Sequence, residues 1–197
     1  MKRSHLACLL VVSMILGFTC VALAKDAIKI QTPLCDSVSC NFYCAPAAIG
    51  PYSQAIQYGE LVFLSGQIAL NPCGGDLFSK DIIKQTERVM QNLGAVLKAA
   101  GLTFKDVLSS TVYLSDVTNN FSKFNGVYGM YFSCNADPCI DFVDKEGQII
   151  GTFCCDPQDP YCNKNCSNKA LSPPARATVQ AGIPRGGLLE VSMIAGK

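Results

Sequence analysis

The sequence predicts an α+β domain, because apolar runs of strand length flank two amphipathic segments of helical period. Glycine- and proline-rich turns separate these elements. A cysteine-rich segment at residues 133–172 breaks the pattern shortly before the end of the chain. The expected order of elements is therefore β-β-α-β-α-(insertion)-β-β, with the disulfide-rich insertion before the last two strands.

Residues 1–24 have the parts of a secretory signal peptide: a basic start, an apolar run at 6–16 and a small-x-small cleavage pattern that ends at Ala24. The alternative is an uncleaved signal anchor, but the run is shorter than the roughly 18 to 20 residues of a membrane span. Cleavage leaves residues 25–197, a length that suits one domain. We therefore expect a secreted protein, or one in the lumen of the secretory pathway, without membrane attachment.

The charge balance and the distribution of histidine exclude several classes of function. The net charge is +1 at pH 7 and the basic residues are scattered, which argues against a nucleic-acid surface. The only histidine, His5, lies in the predicted signal peptide. The mature chain therefore has no histidine for a Ser-His-Asp or Cys-His site, for general-base catalysis or for metal binding. Its chemistry must come from other polar side chains or from backbone groups.

Ten cysteines follow residue 24, in two groups of even number. A secreted chain meets an oxidising compartment, so we expect disulfide bonds, although the sequence leaves their pairing open. The alternative is a zinc site at Cys154, Cys155, Cys162 and Cys166, whose spacing fits no standard zinc motif. The two groups are Cys35, Cys40, Cys44 and Cys73, and Cys134, Cys139, Cys154, Cys155, Cys162 and Cys166.

The first predicted elements are an extension and a pair of strands. Residues 25–45 show little periodicity and contain three cysteines, so we interpret them as an extension held by disulfides. Strands are expected at 53–58 and 61–68, joined by a turn at Gly59. Gly66 interrupts the second strand, which indicates a bulge, a close approach of a backbone or ligand, or simple packing.

Two amphipathic helices enclose a third strand. Ser79 is the expected N-cap of the first helix, with Asp81 in its first turn. A strand follows at residues 106–115, where β-branched and aromatic residues are frequent. Asp116 or Thr118 then caps the second helix, whose aromatic residues recur every three to four positions and are interpreted as core.

The last part of the chain combines the insertion with two more strands. A structureless loop of forty residues is improbable in a compact domain, so residues 133–172 are expected to form a small disulfide-stapled fold with a hairpin near Gly147. Strands are expected at 176–183 and 188–195, as a hairpin around the turn at 184–187.

Arg176 follows Pro173 and Pro174 at the start of an apolar, strand-like run. Its guanidinium is a fixed fork of N–H donors, which pairs bidentately with a planar carboxylate. The alternative is a solvated surface arginine, a common situation in proteins. Arg176 is therefore a candidate anchor for a carboxylate ligand.

Seven short motifs occur in order along the chain: AIGPYSQA at 48–55, FLSGQI at 63–68, QTERVMQNL at 85–93, YLSD at 113–116, FNGVY at 124–128, PARAT at 174–178 and LEV at 189–191. They resemble, in the same order, the motifs of the RidA/YjgF family of imine and enamine deaminases. The resemblance covers residues 46–132 and 172–197. It implies a chorismate-mutase-like, RidA-type fold, a homotrimer with clefts between subunits, and hydrolysis of 2-imino acids to 2-keto acids and ammonia without a cofactor.

The resemblance also implies roles for individual residues. Arg176 corresponds to the arginine that holds the substrate carboxylate, and Glu190 to the acid thought to position or activate the attacking water. Tyr52, Gly66 through its backbone, and Asn125 correspond to further substrate-binding residues of the cleft. Hydrolysis of an electrophilic C=N bond needs such a clamp, an oriented water and a proton path, but neither histidine nor metal.

Two features depart from the family pattern. Arg176 and Pro184 are one residue closer together than usual, so the assignment of Glu190 depends on where the gap lies. If it lies elsewhere, Ser192 or another residue faces the cleft instead. The insertion at 133–172 enters where the family has a short connection at the mouth of the cleft. It therefore has the position to cover, narrow or re-specify the site.

Three functions remain open from the sequence. They are a secreted deaminase of reactive 2-imino or enamino acids, a non-catalytic module that binds a small carboxylate, and an extracellular interaction protein that uses the insertion on a trimeric scaffold.

Glycosylation sequons begin at Asn120 and Asn165. The expected organisation is a signal peptide at 1–24, an extension at 25–45 and one RidA-like domain at 46–197, interrupted by the insertion at 133–172.

Overall fold

The computed structural model describes residues 27–33, 35, 42–133, 137–163 and 173–196. The predicted signal peptide, Cys40, Cys134, Cys166 and the sequon at Asn165 lie outside these residues. In the described part of the chain, no helix is both long enough and apolar enough to cross a membrane.

The described residues form a six-stranded sheet, two α-helices and a separate two-stranded hairpin. In chain order the elements are β1 (Ile28–Ile30), β2 (Ala55–Tyr58), β3 (Leu61–Gln67), α1 (Ile82–Ala99), β4 (Val107–Leu114), α2 (Val117–Met130), β5 (Cys139–Val143), β6 (Ile149–Cys154), β7 (Ala175–Gln180) and β8 (Leu189–Gly196). The strand order of the large sheet is β1-β2-β3-β8-β4-β7, and β5 pairs with β6. The order of strands and helices predicted for the main domain is confirmed, with β1 as an addition.

The two helices begin at aspartate caps. The carboxylate of Asp81, rather than Ser79, caps α1 by accepting the N–H of Lys84 at 3.0 Å. The prediction of Ser79 was wrong: its hydroxyl accepts the N–H of Asp81 at 3.1 Å and stabilises the preceding turn. Both residue types cap helices well, so the path of the backbone decides between them. For α2 the cap is Asp116, and Thr118 lies inside the helix.

Alternating burial shows that the helices cover one face of the sheet. In β8 every second residue is buried, and the residues between them are partly exposed. The buried ones join the apolar side of α1 in the core, as expected for a sheet that packs on helices. The opposite face of the sheet is open, and the side chains of Leu61, Phe63 and Leu108 are 40%, 43% and 55% exposed there.

The last two strands are not a hairpin, which corrects the expectation from the sequence. β8 lies between β3 and β4, whereas β7 pairs in parallel with the other side of β4. Their connecting loop crosses the carboxyl end of β4. There the N–H of Ala181 donates to the carbonyl of Leu114, and the N–H of Ser115 donates to the carbonyl of Leu188, both at 2.9 Å. Apolar periodicity locates strands but carries little information about which strands become neighbours.

The N-terminal extension adds a strand that the sequence pattern did not indicate. β1 extends the sheet by pairing with β2. The buried amide of Gln54 then joins the extension to the domain, because it accepts the N–H of Thr32 at 2.7 Å and donates to the carbonyl of Pro46 at 2.8 Å. A disulfide between Cys35 and Cys44 closes this segment, as expected for the first cysteine group.

The hairpin predicted near Gly147 is confirmed, since β5 and β6 are joined by a turn in which Gly147 has a φ of 81°. Disulfides join Cys139 to Cys154 and Cys155 to Cys162. The zinc alternative was wrong, because three of its four proposed sulfurs are used in these disulfides. Cys73 of the first group is also disulfide-bonded.

The insertion packs against the helices at two glycines. An added Cβ at Gly126 in α2 would lie 2.7 Å from the ring of Phe142 and 2.9 Å from the side chain of Ile140. An added Cβ at Gly94 in α1 would lie 2.7 Å from the ring of Tyr161. The absence of side chains at these two positions therefore lets the insertion approach the helices closely.

Asp159 anchors the insertion from inside the protein. Its fully buried carboxylate accepts hydrogen bonds from Gln91 and from the hydroxyl of Tyr131, both at 3.0 Å, and from the N–H of Tyr161 at 2.8 Å. Burial, together with the negative charge of Asp159, raises the pKa of Glu87 to about 7. The contact between α1 and the insertion is therefore sensitive to charge.

Candidate active site

Gly66 and Glu190 lie side by side on neighbouring strands. The ladder between β3 and β8 is irregular between Leu64 and Gln67, and Gly66 sits in this irregularity. A Cβ at Gly66 would overlap the carboxylate of Glu190. Of the alternatives from the sequence, the bulge is therefore confirmed, and the group that comes close to Gly66 is a side-chain carboxylate of the same chain rather than a backbone or a ligand.

A cavity of about 310 Å³ opens beside this pair. Tyr52 stands at its edge, 44% exposed, and its hydroxyl accepts the N–H of Ile49 at 3.2 Å. The hydroxyl of Ser65 donates to the carbonyl of Ser53 at 2.6 Å and fixes the wall beside Gly66. The lining residues are Ile49, Tyr52, Ser65, Gly66, Ile68, Pro184 and Glu190.

The carboxyl group of Glu190 is a suitable acid–base group for this cavity. Burial raises its pKa above the ordinary value for glutamate. Ser192, the alternative from the sequence, projects from the same face of β8 but does not line the cavity. The structure thus places Glu190, and not Ser192, beside Gly66 and Tyr52.

Arg176 lies on β7, at the edge of the sheet, and contacts α2. It donates from Nη2 to the Oδ1 atom of Asn125 at 2.7 Å. Its guanidinium carbon lies 4.9 Å from the ring centroid of Tyr128 and 5.5 Å from that of Phe124. Within the described residues, Arg176 has no carboxylate partner. Asn125 and the aromatic rings therefore orient a cation that retains donors for an anionic ligand.

The tyrosine beneath this arginine is itself held in place. The hydroxyl groups of Tyr128 and Ser110 are hydrogen-bonded at 2.8 Å. Burial raises the pKa of Tyr128 above its ordinary value, so it stays neutral next to Arg176. The sequence indicated Phe124 and Tyr128 only as core residues. Their helical spacing with Phe121 was the available signal for a continuous aromatic surface, and the contact with Arg176 needed the structure.

Arg176 and Glu190 project from opposite faces of the sheet. Arg176 is in register with Ser110 and, through it, with the buried Met193, so its side chain starts on the helix-covered face. Glu190 is in register with Tyr113, three positions further along β4, and therefore lies on the open face. Arg176 and Glu190 are separated by two strand spacings across the sheet and by three residues along the strand direction. Each of these separations is ~10 Å. Within one chain, the two residues do not converge on one small ligand.

The five predicted site residues thus lie in two separate groups. Tyr52, Gly66 and Glu190 lie together on the open side of the sheet. Asn125 and Arg176 lie together at the edge formed by β7.

Comparison with known proteins identifies the family to which this chain belongs. The family described as Endoribonuclease L-PSP matches residues 43–144, just over half of the chain. Protein DfrA of Myxococcus xanthus is 39% identical over 154 residues, which are 77% of this chain and 88% of DfrA. The chain belongs to this family. This family is the RidA/YjgF family whose motifs the sequence resembles. The family match at residues 43–144 ends before Arg176 and Glu190, so this match does not depend on either residue.

Other members of the RidA family support the same fold. The human 2-iminobutanoate/2-iminopropanoate deaminase is 42% identical over 91 residues, which are 46% of this chain and 66% of the human protein. The Rid-family protein YyfA from Yersinia pestis has a TM-score of 0.59 and 33% identity, over 87% of this chain and all of YyfA. The structure of E. coli TdcF with bound serine has a TM-score of 0.56 and 30% identity, over 78% of this chain and 93% of TdcF. The chorismate-mutase-like α+β fold expected from the sequence is therefore confirmed.

Proposed function

We propose that this protein hydrolyses 2-imino acids, or their enamine tautomers, to 2-keto acids and ammonia. The observation that carries the proposal is the carboxylate of Glu190, which lies against the backbone of Gly66 in an accessible cavity and has a raised pKa. The deaminase names of several relatives support the same reaction class.

The proposed reaction needs only groups that the chain contains. Glu190 takes a proton from a water molecule as the water oxygen adds to the carbon of the protonated imine, which gives a neutral tetrahedral carbinolamine. Glu190 then returns this proton to the amine nitrogen and accepts the hydroxyl proton as the C–N bond breaks, so the carbonyl forms and ammonia leaves. The raised pKa of Glu190 lies closer to neutral pH than that of an ordinary glutamate. At such a pH its carboxyl group can both accept and return a proton. Arg176 binds the substrate carboxylate, which both substrate and product carry.

We further propose that one complete site combines residues from two copies of the chain, in a homotrimer. Arg176 and Glu190 lie on opposite faces of their own sheet, so a second copy has to supply one of them. The open face is suited to such an interface because Leu61, Phe63 and Leu108 are exposed on it. The bound serine in the TdcF structure is also consistent with a family site for small carboxylates.

Mixing two inactive variants tests the shared site. Arg176→Ala and Glu190→Gln are each expected to be inactive alone. Co-expressed in equal amounts, they form interfaces that combine the intact Glu190 of one copy with the intact Arg176 of another, so about one quarter of the activity should return. A mixed assembly without activity would contradict sites shared between copies.

The disulfide-bonded pairs in both cysteine groups support the proposal that this deaminase is exported. The same proposal includes cleavage of the signal peptide after Ala24 and glycosylation at Asn120. Mass spectrometry of the protein expressed in a secretory host tests all three features together, because it reads the new N-terminus, the glycan and the oxidation state.

A coupled assay tests the reaction itself. An amino-acid oxidase generates the imine in situ, and the measured quantity is the rate of 2-keto acid formation above the spontaneous rate. Arg176→Ala should abolish the acceleration. Arg185→Ala is the matched control, because Arg185 is exposed and donates to the carbonyl of Gly75 instead. Calorimetric binding of 2-ketobutyrate without turnover would favour the non-catalytic binding module. If neither binding nor turnover is observed, the extracellular interaction protein is the remaining hypothesis.

A further inference from the structure

A second cavity, of about 340 Å³, lies where the insertion meets the end of α1. It shares no lining residue with the cavity beside Glu190 or with the pair of Asn125 and Arg176. Its volume is within the usual range for small-molecule sites. The proposed deaminase chemistry does not use it.

The insertion forms one wall of this cavity through Pro160 and Tyr161. Tyr161 is well fixed: its hydroxyl donates to the carbonyl of Phe42 at 2.6 Å, and its ring meets that of Phe104 edge-on at 6.3 Å. The adjoining disulfide between Cys155 and Cys162 ties the segment together. This wall of the cavity is therefore held in place by specific contacts, at the point where the insertion meets the N-terminal extension.

The cavity has an apolar interior and a basic mouth. Leu102 and Phe104 are buried at its base, whereas Lys98 and Lys105 are exposed at its rim. Within the described residues, neither lysine has a carboxylate partner. The nearby carboxylate of Asp106 is turned toward Thr103, from which it accepts two hydrogen bonds, and the ammonium of Lys98 lies 4.0 Å from the ring centroid of Tyr43.

We propose that this cavity binds an amphipathic monocarboxylate, with its apolar body packed against Phe104 and Tyr161 and its carboxylate at Lys98 and Lys105. An apolar base favours a hydrocarbon or aromatic body. Two ammonium groups without acidic partners favour a single anionic head at the mouth. The keto and imino acids of the proposed reaction have little apolar surface, so this ligand class differs from the substrate class.

The test uses the disulfide-intact full-length protein and three probes: octanoate, 1-octanol and acetate. Octanoate combines both parts of the proposed ligand, whereas octanol lacks the charge and acetate lacks the apolar chain. Calorimetry should show saturable binding of octanoate, at least tenfold tighter than that of either comparator. Equal affinity for octanol, or no saturable binding of octanoate, overturns the proposal.

Variants and amide chemical shifts locate the bound probe. The double variant Lys98→Met and Lys105→Met should weaken octanoate binding at least tenfold, while Lys80→Met, a control outside the cavity, should change it less than twofold. Lys105→Met alone repeats the test without disturbing the contact between Lys98 and Tyr43. Octanoate should shift the backbone amides of residues 102–105 and 161, and shifts confined to the region of Tyr52 and Gly66 overturn the assignment.

Discussion

The carboxylate of Glu190 occupies the space that a side chain at position 66 would fill. Gly66 and Glu190 lie on adjacent antiparallel strands, and the irregular pairing of β3 and β8 brings the glycine backbone to the carboxylate. A residue remote in sequence thus depends on a missing Cβ for its position.

Replacing Gly66 by alanine should remove most deaminase activity. The new methyl group displaces the carboxylate of Glu190 from the cavity, so kcat should fall about 100-fold, in the range of a lost acid–base group. The coupled assay measures it. Gly182→Ala is the control, because a Cβ there meets nothing within 4 Å. Full activity of Gly66→Ala would show that this position of Glu190 is not needed.

Replacing Asn125 by alanine should weaken substrate binding more than it slows turnover. Asn125 orients the guanidinium of Arg176 through a 2.7 Å hydrogen bond, and a hydrogen bond to a charged group contributes about 1.5–3 kcal/mol. We expect KM to rise about tenfold or more with a smaller change in kcat. Asn119→Ala, on the same helix but bonded to Asp116, should leave KM unchanged. An unchanged KM for Asn125→Ala would separate Asn125 from substrate binding.

The pH dependence of deamination should show the raised pKa of Glu190. The carboxylate form is the base, so kcat/KM should fall as the pH drops through this pKa, at a pH above the ordinary value of 4.5 for glutamate. Two imines of different basicity distinguish enzyme from substrate ionisation, because an enzyme group gives the same midpoint with both. A midpoint at or below 4.5 would contradict the burial of Glu190.

Glu87 should make the protein less stable as the pH rises toward neutrality. Its pKa of about 7 in the folded protein exceeds the value of 4.5 for the exposed group, so the folded state binds the extra proton between these values. The free energy of unfolding should therefore decrease from pH 4.5 to about 7. The charges around it are Asp159, Asp156, Arg88 and Lys84.

Thermal unfolding between pH 5 and 8 measures this effect. Glu87→Gln should flatten the pH dependence, whereas Glu146→Gln, at an exposed glutamate of the hairpin turn, should retain it. The prediction fails if wild type and Glu87→Gln have parallel stability curves over this range.

Two glycines in α2 should respond in opposite directions to alanine. At Gly126 the methyl group meets Phe142 and Ile140, so the variant should lose about 1–3 kcal/mol as the insertion is pushed away. At Gly129 nothing lies within 4 Å, so alanine should stabilise the helix by up to about 1 kcal/mol. Urea unfolding of both variants measures the difference. Equal effects would mean that the insertion does not press on Gly126.

The sequence predicted the elements of the main domain well and their neighbours less well. Helical period and strand-like runs located both helices and the strands around them, because these patterns reflect local burial. The strand β1 was not foreseen, since its pairing with β2 does not depend on a strong apolar pattern. The hairpin predicted for β7 and β8 was wrong, because β4 lies between them.

The sequence likewise identified individual candidate site residues better than it identified their neighbours. The motifs pointed to Glu190, Gly66 and Arg176 one by one, and the structure placed the first two together. The aromatic support of Arg176 by Phe124 and Tyr128 was missed, since residues at that spacing are usually core. The anchoring role of Asp159 was also missed, because nothing local marks a carboxylate as buried.

The amino-acid sequence was sufficient to predict the fold class, the family resemblance, the disulfides and the residue types available for catalysis, because these follow from composition, period and motif. It was not sufficient to predict that Arg176 and Glu190 lie on opposite faces of one sheet. Side chains alternate along each strand, and strand order and register, which local patterns do not encode, set the face on which each residue emerges.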